Sequence, residues 1–182
     1  MSLTTLALVK GKPPNIYLVG AMGSGKTAVG RRLAALLDKQ FLDTDAEIEK
    51  RTGVDVRYIF EKEGEVRFRE REREVIAELT GLDGVVVATG GGVVLDPKNR
   101  ARLAATGTVV YLETSVDALV QRTRSNKTRP LLMNADPRGV LERLMAARQP
   151  FYDEVADLKV ETTGCTVRAV AADIRERLAA AP

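Results

Sequence analysis

Short apolar runs alternate along the chain with longer segments in which apolar residues recur every three or four positions. The runs predict buried strands near residues 15–19, 41–43, 85–88, 107–112 and 156–162. The periodic segments predict helices near residues 28–37, 51–63, 64–80, 97–105, 115–122, 139–149 and 167–179, with a further helix starting at Asp45. This alternation is typical of a three-layer α/β fold, with a parallel sheet of about five strands flanked by helices.

The predicted helix over residues 64–80 contains a run of alternating charges, most of which we expect on a solvated face. In helical projection, Glu72 falls inside an arc of apolar residues: Phe68, Val75, Ile76 and Leu79. A buried carboxylate without a partner is costly, and Arg69 lies one turn earlier at the edge of this arc. We therefore expect a Glu72–Arg69 ion pair, with Glu70 on the opposite face.

The strongest chemical signal is Gly20–Thr27, which has the form G-x-x-x-x-G-K-[ST] of a phosphate-binding P-loop. The glycines let successive backbone N–H groups surround an anion, while Lys26 can neutralise phosphate and the Thr27 hydroxyl can ligate Mg²⁺. A predicted strand precedes the loop and a predicted helix follows it, which adds a helix N-terminus beneath the phosphate. A dinucleotide-binding fingerprint does not fit, because its third glycine would fall on Ala28.

Further candidate residues follow two of the predicted strands. Asp43 and Asp45 come after the second strand, and Thr89 with Gly90–Gly92 come after the third. In α/β proteins the carboxyl ends of strands form the side on which ligands bind. Helix capping remains an alternative explanation for the two aspartates, and a flexible turn remains one for the glycines.

The polar segment 123–138 predicts a loop that covers the ligands, because it is interrupted by Pro130 and Pro137 and carries the cations Arg124, Lys127 and Arg129. An ordinary surface connection is the alternative. Residues 1–12 precede Pro13–Pro14 and are expected to form a tail without a signal peptide.

Composition narrows the functional class. The 182 residues suit one domain, and the net charge of +3 fits anionic ligands without demanding nucleic acid. The absence of histidine excludes histidine bases and histidine metal sites, while the single Cys165 excludes an intrachain disulfide and fits a reducing compartment. No apolar run approaches 18 residues, so we expect a cytoplasmic protein without membrane or nucleic-acid partners.

Several motifs together resemble the shikimate kinase family in order and spacing over nearly the whole chain: the P-loop, Leu42–Asp45, Phe68–Arg69, Thr89–Gly92, Arg129–Leu132 and Arg148-x-Pro150-x-Tyr152. The resemblance implies a fold similar to nucleoside monophosphate kinases over residues 13–182, with a substrate-binding lobe near 44–75 and a lid near 123–138. It also implies transfer of the γ-phosphoryl group of ATP, with Mg²⁺, to the 3-hydroxyl of shikimate.

The resemblance assigns roles to individual residues. Lys26, Asp45 and the lid residue Arg129 would be catalytic, and Asp45 would act as a base or only position the hydroxyl. The ATP site would comprise Gly23, Ser24, Gly25, Lys26, Thr27, Ala28, Arg122 and Arg129, with Thr27 and Asp43 at the metal. The shikimate site would comprise Asp45, Arg69, Gly90, Gly91, Gly92 and Arg148. The turn Thr162–Thr166 departs from the family pattern, since it offers neither arginine nor proline to the adenine.

Two other functions remain open at this level. A gluconate kinase of the same fold would also use arginines for a carboxylate, although the Asp-x-Asp and Thr-Gly-Gly-Gly motifs favour shikimate. A non-catalytic nucleotide-binding regulatory module would lack turnover, whereas this chain has the complete catalytic set. We expect a monomeric enzyme.

Overall fold

The computed structural model describes residues 14–123 and 136–180. Its strands are Asn15–Val19 (β1), Gln40–Asp43 (β2), Val85–Ala88 (β3), Gly107–Glu113 (β4) and Leu158–Glu161 (β5). They form one five-stranded sheet in the order β2-β3-β1-β4-β5, in which every neighbouring pair is parallel. The predicted parallel α/β sheet is therefore confirmed.

Eight α-helices cover the sheet in the described part of the chain: Lys26–Leu37 (α1), Thr44–Thr52 (α2), Val56–Lys62 (α3), Gly64–Leu79 (α4), Pro97–Thr106 (α5), Val116–Thr123 (α6), Pro137–Val155 (α7) and Val167–Ala180 (α8). A short 3₁₀ helix spans Val93–Leu95. None of the described helices combines the length and the hydropathy that crossing a bilayer requires.

Side chains of β1 alternate between two apolar cores, as the two-residue period of a strand dictates. Tyr17 and Val19 join the core beneath α4, α5 and α7, whereas Ile16 and Leu18 join the core beneath α1 and α8. Because both faces of β1 are covered, its residues are apolar almost throughout and form the centre of a three-layer structure.

The end of α7 differs from the sequence prediction. We expected this helix to end near Gln149, before Pro150, but it continues to Val155. Proline cannot donate the backbone hydrogen bond of its turn, which ordinarily ends or kinks a helix. Here Tyr152 and Val155 are buried in the core beyond the proline, and we attribute the continuation of the helix to this packing.

A buried asparagine fixes the start of β1 to the start of β3. The Asn15 side-chain amide donates to the carbonyl oxygen of Leu82 at 2.6 Å and to the hydroxyl of Tyr17 at 3.1 Å. Its Oδ1 accepts the backbone N–H of Val85 at 3.1 Å. One side chain therefore satisfies buried backbone groups that the strand ladder does not pair.

We predict that Asn15→Ala lowers the free energy of unfolding by about 1–3 kcal/mol, because the Val85 N–H is left buried without its acceptor. Gln40→Ala, at the exposed end of β2, is the control and should change stability by less than about 0.5 kcal/mol. Urea unfolding of both variants measures the difference. Equal midpoints would show that the Asn15 hydrogen bonds contribute nothing.

Candidate active site

The P-loop lies between β1 and α1 at the carboxyl edge of the sheet. Gly20, Gly23 and Gly25 have φ angles of 143°, 83° and 97°, which side-chain-bearing residues rarely adopt. A Cβ atom at Gly20 would also meet the carbonyl oxygen of Leu112 at 2.8 Å. The loop thus packs closely against the end of β4 and needs glycine there.

Lys26 is the first residue of α1 and is only 8% exposed. Its Nζ donates to the carbonyl oxygens of Gly20 and Ala21, at 2.7 and 2.8 Å. These contacts hold the ammonium group against the P-loop, where an anion bound by the loop would find a positive charge already in place.

Asp43 has two roles, one for each carboxylate oxygen. Oδ1 caps α2 by accepting the backbone N–H groups of Asp45 and Ala46, at 3.1 and 3.3 Å. Oδ2 accepts the hydroxyl of Thr27 at 2.7 Å. The capping alternative is therefore correct for Asp43, and it also places a second oxygen beside the P-loop hydroxyl.

The glycine loop, Gly90–Gly92, packs against the P-loop and contacts charged side chains directly. A Cβ atom at Gly90 would meet Glu72 Oε1 at 2.7 Å and Asp45 Oδ1 at 3.0 Å, and one at Gly92 would collide with the guanidinium of Arg69. At Gly91 the same atom would lie 3.4 Å from Arg148 Nη1. The structure thus brings three distant predicted residues to one loop: Asp45, Arg69 and Arg148.

The predicted ion pair on α4 is confirmed. Glu72 is 1% exposed, and its Oε2 accepts Arg69 Nη1 at 2.8 Å. Glu65 binds the other side of the same guanidinium at 2.9 Å. Burial raises the pKa of Glu72 above its ordinary value although the Arg69 charge opposes the shift. All apolar members of the predicted arc are buried as well.

Arg122 joins the P-loop to the turn after β5. Its guanidinium donates to the Thr162 carbonyl oxygen at 2.7 Å and to the Thr162 hydroxyl at 3.2 Å, and it approaches the Gly23 and Ser24 carbonyls at 3.5 Å. Arg122 also lines a cleft of about 280 Å³, together with Thr27, Asp45, Gly90 and Gly91. The predicted site residue Arg129 lies outside the described residues, as does most of the predicted lid.

The structure adds three residues to the site that sequence reasoning gave no role. The Thr44 hydroxyl accepts the Gly90 N–H at 2.9 Å, Thr162 holds Arg122, and the Tyr152 hydroxyl donates to the Gly91 carbonyl oxygen. Thr44 and Tyr152 were named only as members of sequence motifs. Each binds a group more than 35 residues away in the chain, a distance over which periodicity gives no signal.

Comparison with known proteins gives a consistent result. A family model described as "Shikimate kinase" matches residues 22–179. A shikimate kinase of Halorhodospira halophila is 56% identical over 93% of this chain and 96% of its own. The solved shikimate kinase of Acinetobacter baumannii in complex with shikimate is 48% identical, with a TM-score of 0.90 over 94% of this chain and 95% of that one.

A more distant structure shares only the fold. The solved gluconokinase of Sinorhizobium meliloti is 17% identical, with a TM-score of 0.55 over 92% of this chain and 94% of that one. This chain is thus much more similar to the solved shikimate kinase than to the gluconokinase, both in sequence identity and in TM-score. With the family model covering most of its length and a relative more than half identical to it, the chain belongs to the shikimate kinase family.

Proposed function

We propose that the cleft between the P-loop and the glycine loop binds ATP and shikimate side by side and transfers the γ-phosphoryl group to the 3-hydroxyl of shikimate. The observation that carries this proposal is the convergence of a phosphate cradle, a carboxylate and two guanidiniums at one edge of the sheet. Membership of a kinase family supports ATP as the donor, and the shikimate complex of the A. baumannii relative supports the acceptor.

The nucleotide half of the cleft is formed by the P-loop. We assign the phosphates to the backbone of Gly23, Ser24 and Gly25 and to the start of α1 at Lys26–Ala28. The Lys26 ammonium stabilises charge on the transferred group, because phosphoryl transfer depends mainly on positioning and charge neutralisation. We place Arg122 beside the adenine of ATP, where it is held by its hydrogen bond to the Thr162 carbonyl oxygen. We also propose that Arg129 adds a second cation from the lid.

A Mg²⁺ ion fits the pair formed by Thr27 and Asp43. Their oxygens lie 2.7 Å apart beside the P-loop, and both are hard ligands of the kind that Mg²⁺ prefers. No group of three or more acidic, cysteine or histidine side chains forms a metal site in the described ranges, but Mg²⁺ in kinases needs only one or two protein ligands besides phosphate. When bound, the ion would be held by Thr27 and Asp43 and would neutralise negative charge on the phosphates.

The shikimate half of the cleft is formed by α2, α4, α7 and the glycine loop. We assign the carboxylate to Arg69 and Arg148, because a guanidinium can donate two parallel hydrogen bonds to a carboxylate. Asp45 lies against the Gly90 backbone and is placed to bind the ring hydroxyls. As the hydroxyl oxygen bonds to phosphorus and ADP leaves, Asp45 is the carboxylate positioned to accept the proton.

The remaining sequence-based expectations stay proposals. We propose a monomeric enzyme, since the P-loop, Asp45 and both arginines of one chain suffice to form the cleft. We also propose a cytoplasmic location, since a single cysteine, Cys165, fits a reducing compartment. Size-exclusion chromatography with light scattering tests the oligomeric state.

A substrate panel tests the reaction. We expect ADP release from ATP with shikimate, and less than about one hundredth of that rate with gluconate or a nucleoside monophosphate, because those acceptors leave buried polar groups of the site unpaired. Quinate, which keeps the carboxylate and ring hydroxyls, measures how strictly the ring is recognised. Equal turnover of gluconate and shikimate would contradict the proposal.

We predict that Lys26→Met lowers kcat by at least about a thousandfold, as expected when preorganised positive charge is lost. Lys50→Met is the matched control, because the Lys50 side chain on α2 is 80% exposed and makes only a 3.9 Å ion pair with Glu47. Steady-state kinetics and circular dichroism of both variants distinguish catalysis from folding. Retention of more than about a tenth of wild-type kcat would exclude the proposed electrostatic role.

We predict that Glu72→Gln weakens shikimate binding about tenfold and leaves ATP binding nearly unchanged, because a neutral amide holds the Arg69 guanidinium less firmly than the carboxylate does. Glu70→Gln is the control on the same helix, since Glu70 pairs with Arg67 on the exposed face. Calorimetric titration with each ligand separates the two effects. If both variants bind shikimate alike, the buried ion pair does not position Arg69.

A further inference from the structure

The structure assigns Tyr152 a positioning role: we propose that its hydroxyl orients both the Gly91–Gly92 peptide and Arg148 for the carboxylate of shikimate. This inference rests on the proposed function, in which Arg69 and Arg148 bind that carboxylate. It adds a residue that does not itself touch the substrate.

Packing holds the Tyr152 side chain in one place. Its side chain is fully buried on α7, and its ring stacks on Tyr111 with centroids 4.9 Å apart and an interplanar angle of 14°. A ring packed in this way cannot swing away from its neighbours. The hydroxyl therefore occupies a fixed point beneath the glycine loop.

The Tyr152 hydroxyl contacts the glycine loop. It donates to the carbonyl oxygen of Gly91, 61 residues earlier in the chain. Arg148, one turn earlier on α7, is 5% exposed, and its guanidinium lies close enough to the same phenol to oppose the rise in the Tyr152 pKa. Burial raises the pKa of Tyr152 far above that of an ordinary phenol, so the hydroxyl keeps its proton and remains a donor at any physiological pH.

The geometry of the Gly91–Gly92 peptide determines where the Gly92 N–H points. No described peptide bond is cis, and in a trans peptide the N–H points away from the C=O of the same unit. With the Gly91 carbonyl directed to Tyr152, the Gly92 N–H is directed to the other side of the loop. Gly92 is in close contact with the guanidinium of Arg69, so this N–H is set among the groups that would receive an anion.

Tyr152→Phe tests the role, because it keeps the ring and its stacking and removes only the hydroxyl. We expect the KM for shikimate to rise about five- to twentyfold and the KM for ATP to change less than about twofold, as for loss of one hydrogen bond that supports a charged ligand. Tyr111→Phe is the matched control. It removes a hydroxyl that binds Gln149 from the same ring stack, and shikimate and ATP KM values should both stay near wild type.

Shikimate methyl ester separates failure of this inference from failure of the proposed function. The wild-type enzyme should prefer shikimate over the uncharged ester, and Tyr152→Phe should lose most of that preference. If the wild type shows no preference, the carboxylate clamp itself is wrong. If the wild type prefers shikimate and Tyr152→Phe keeps the full preference, the clamp stands and the positioning role is overturned.

Thermal melting of both variants checks that they fold. Should Tyr152→Phe not fold, p-aminophenylalanine at position 152 provides the second test, because its amine is a weaker donor at the same point. Shikimate affinity should then fall while ATP affinity holds. Wild-type shikimate affinity in that variant, or an equal loss for both ligands, would overturn the proposal.

Discussion

The close approach of charged side chains to bare backbone at Gly90–Gly92 is the constraint on which the cleft depends. Glu72 and Asp45 oxygens come within about 3 Å of the place where a Cβ atom of residue 90 would lie, and the Arg69 guanidinium occupies that place at residue 92. A side chain at residue 90 or 92 would displace a charged group of the site. The close approach of these carboxylates and of the Arg69 guanidinium to the loop is therefore possible only because residues 90 and 92 have no side chain.

Such crowding of charge requires internal compensation. Two guanidiniums near one loop would repel each other, and the Glu72 side chain extends from α4 to the loop, where it binds Arg69 directly. Burial would lower the pKa of Arg69, but Glu72 and Glu65 reverse that effect and raise it, so the guanidinium stays charged. Burial acts in the opposite direction on Glu72, whose pKa it raises, so the charged form of the carboxylate is destabilised. We infer that the ion pair is kept for the geometry of the site and adds little to stability.

Sequence reasoning succeeded where one local pattern determined the outcome. Glycine spacing predicted the P-loop, and the 100° rotation per residue of α4 predicted both the burial of Glu72 and its pairing with Arg69. It failed at α7, because a local rule for Pro150 was outweighed by burial of Tyr152. Sequence reasoning could not assign a role to Tyr152 for a different reason. The partner of its hydroxyl is the backbone carbonyl of Gly91, which only the order of the strands in the sheet brings close.

The nucleotide and shikimate halves of the cleft meet where the backbone of the glycine loop contacts the backbone of the P-loop. A Cβ atom at Gly91 would lie 3.4 Å from the Gly20 carbonyl oxygen and 3.3 Å from the Met22 nitrogen, so the glycine loop packs directly on the P-loop. The same Gly20 carbonyl accepts Lys26 Nζ. A shift of either loop would therefore move both the phosphate cradle and the acceptor site. In-line transfer tolerates little misplacement of the reacting atoms, and direct backbone contact between the loops fixes their separation more firmly than long side chains could.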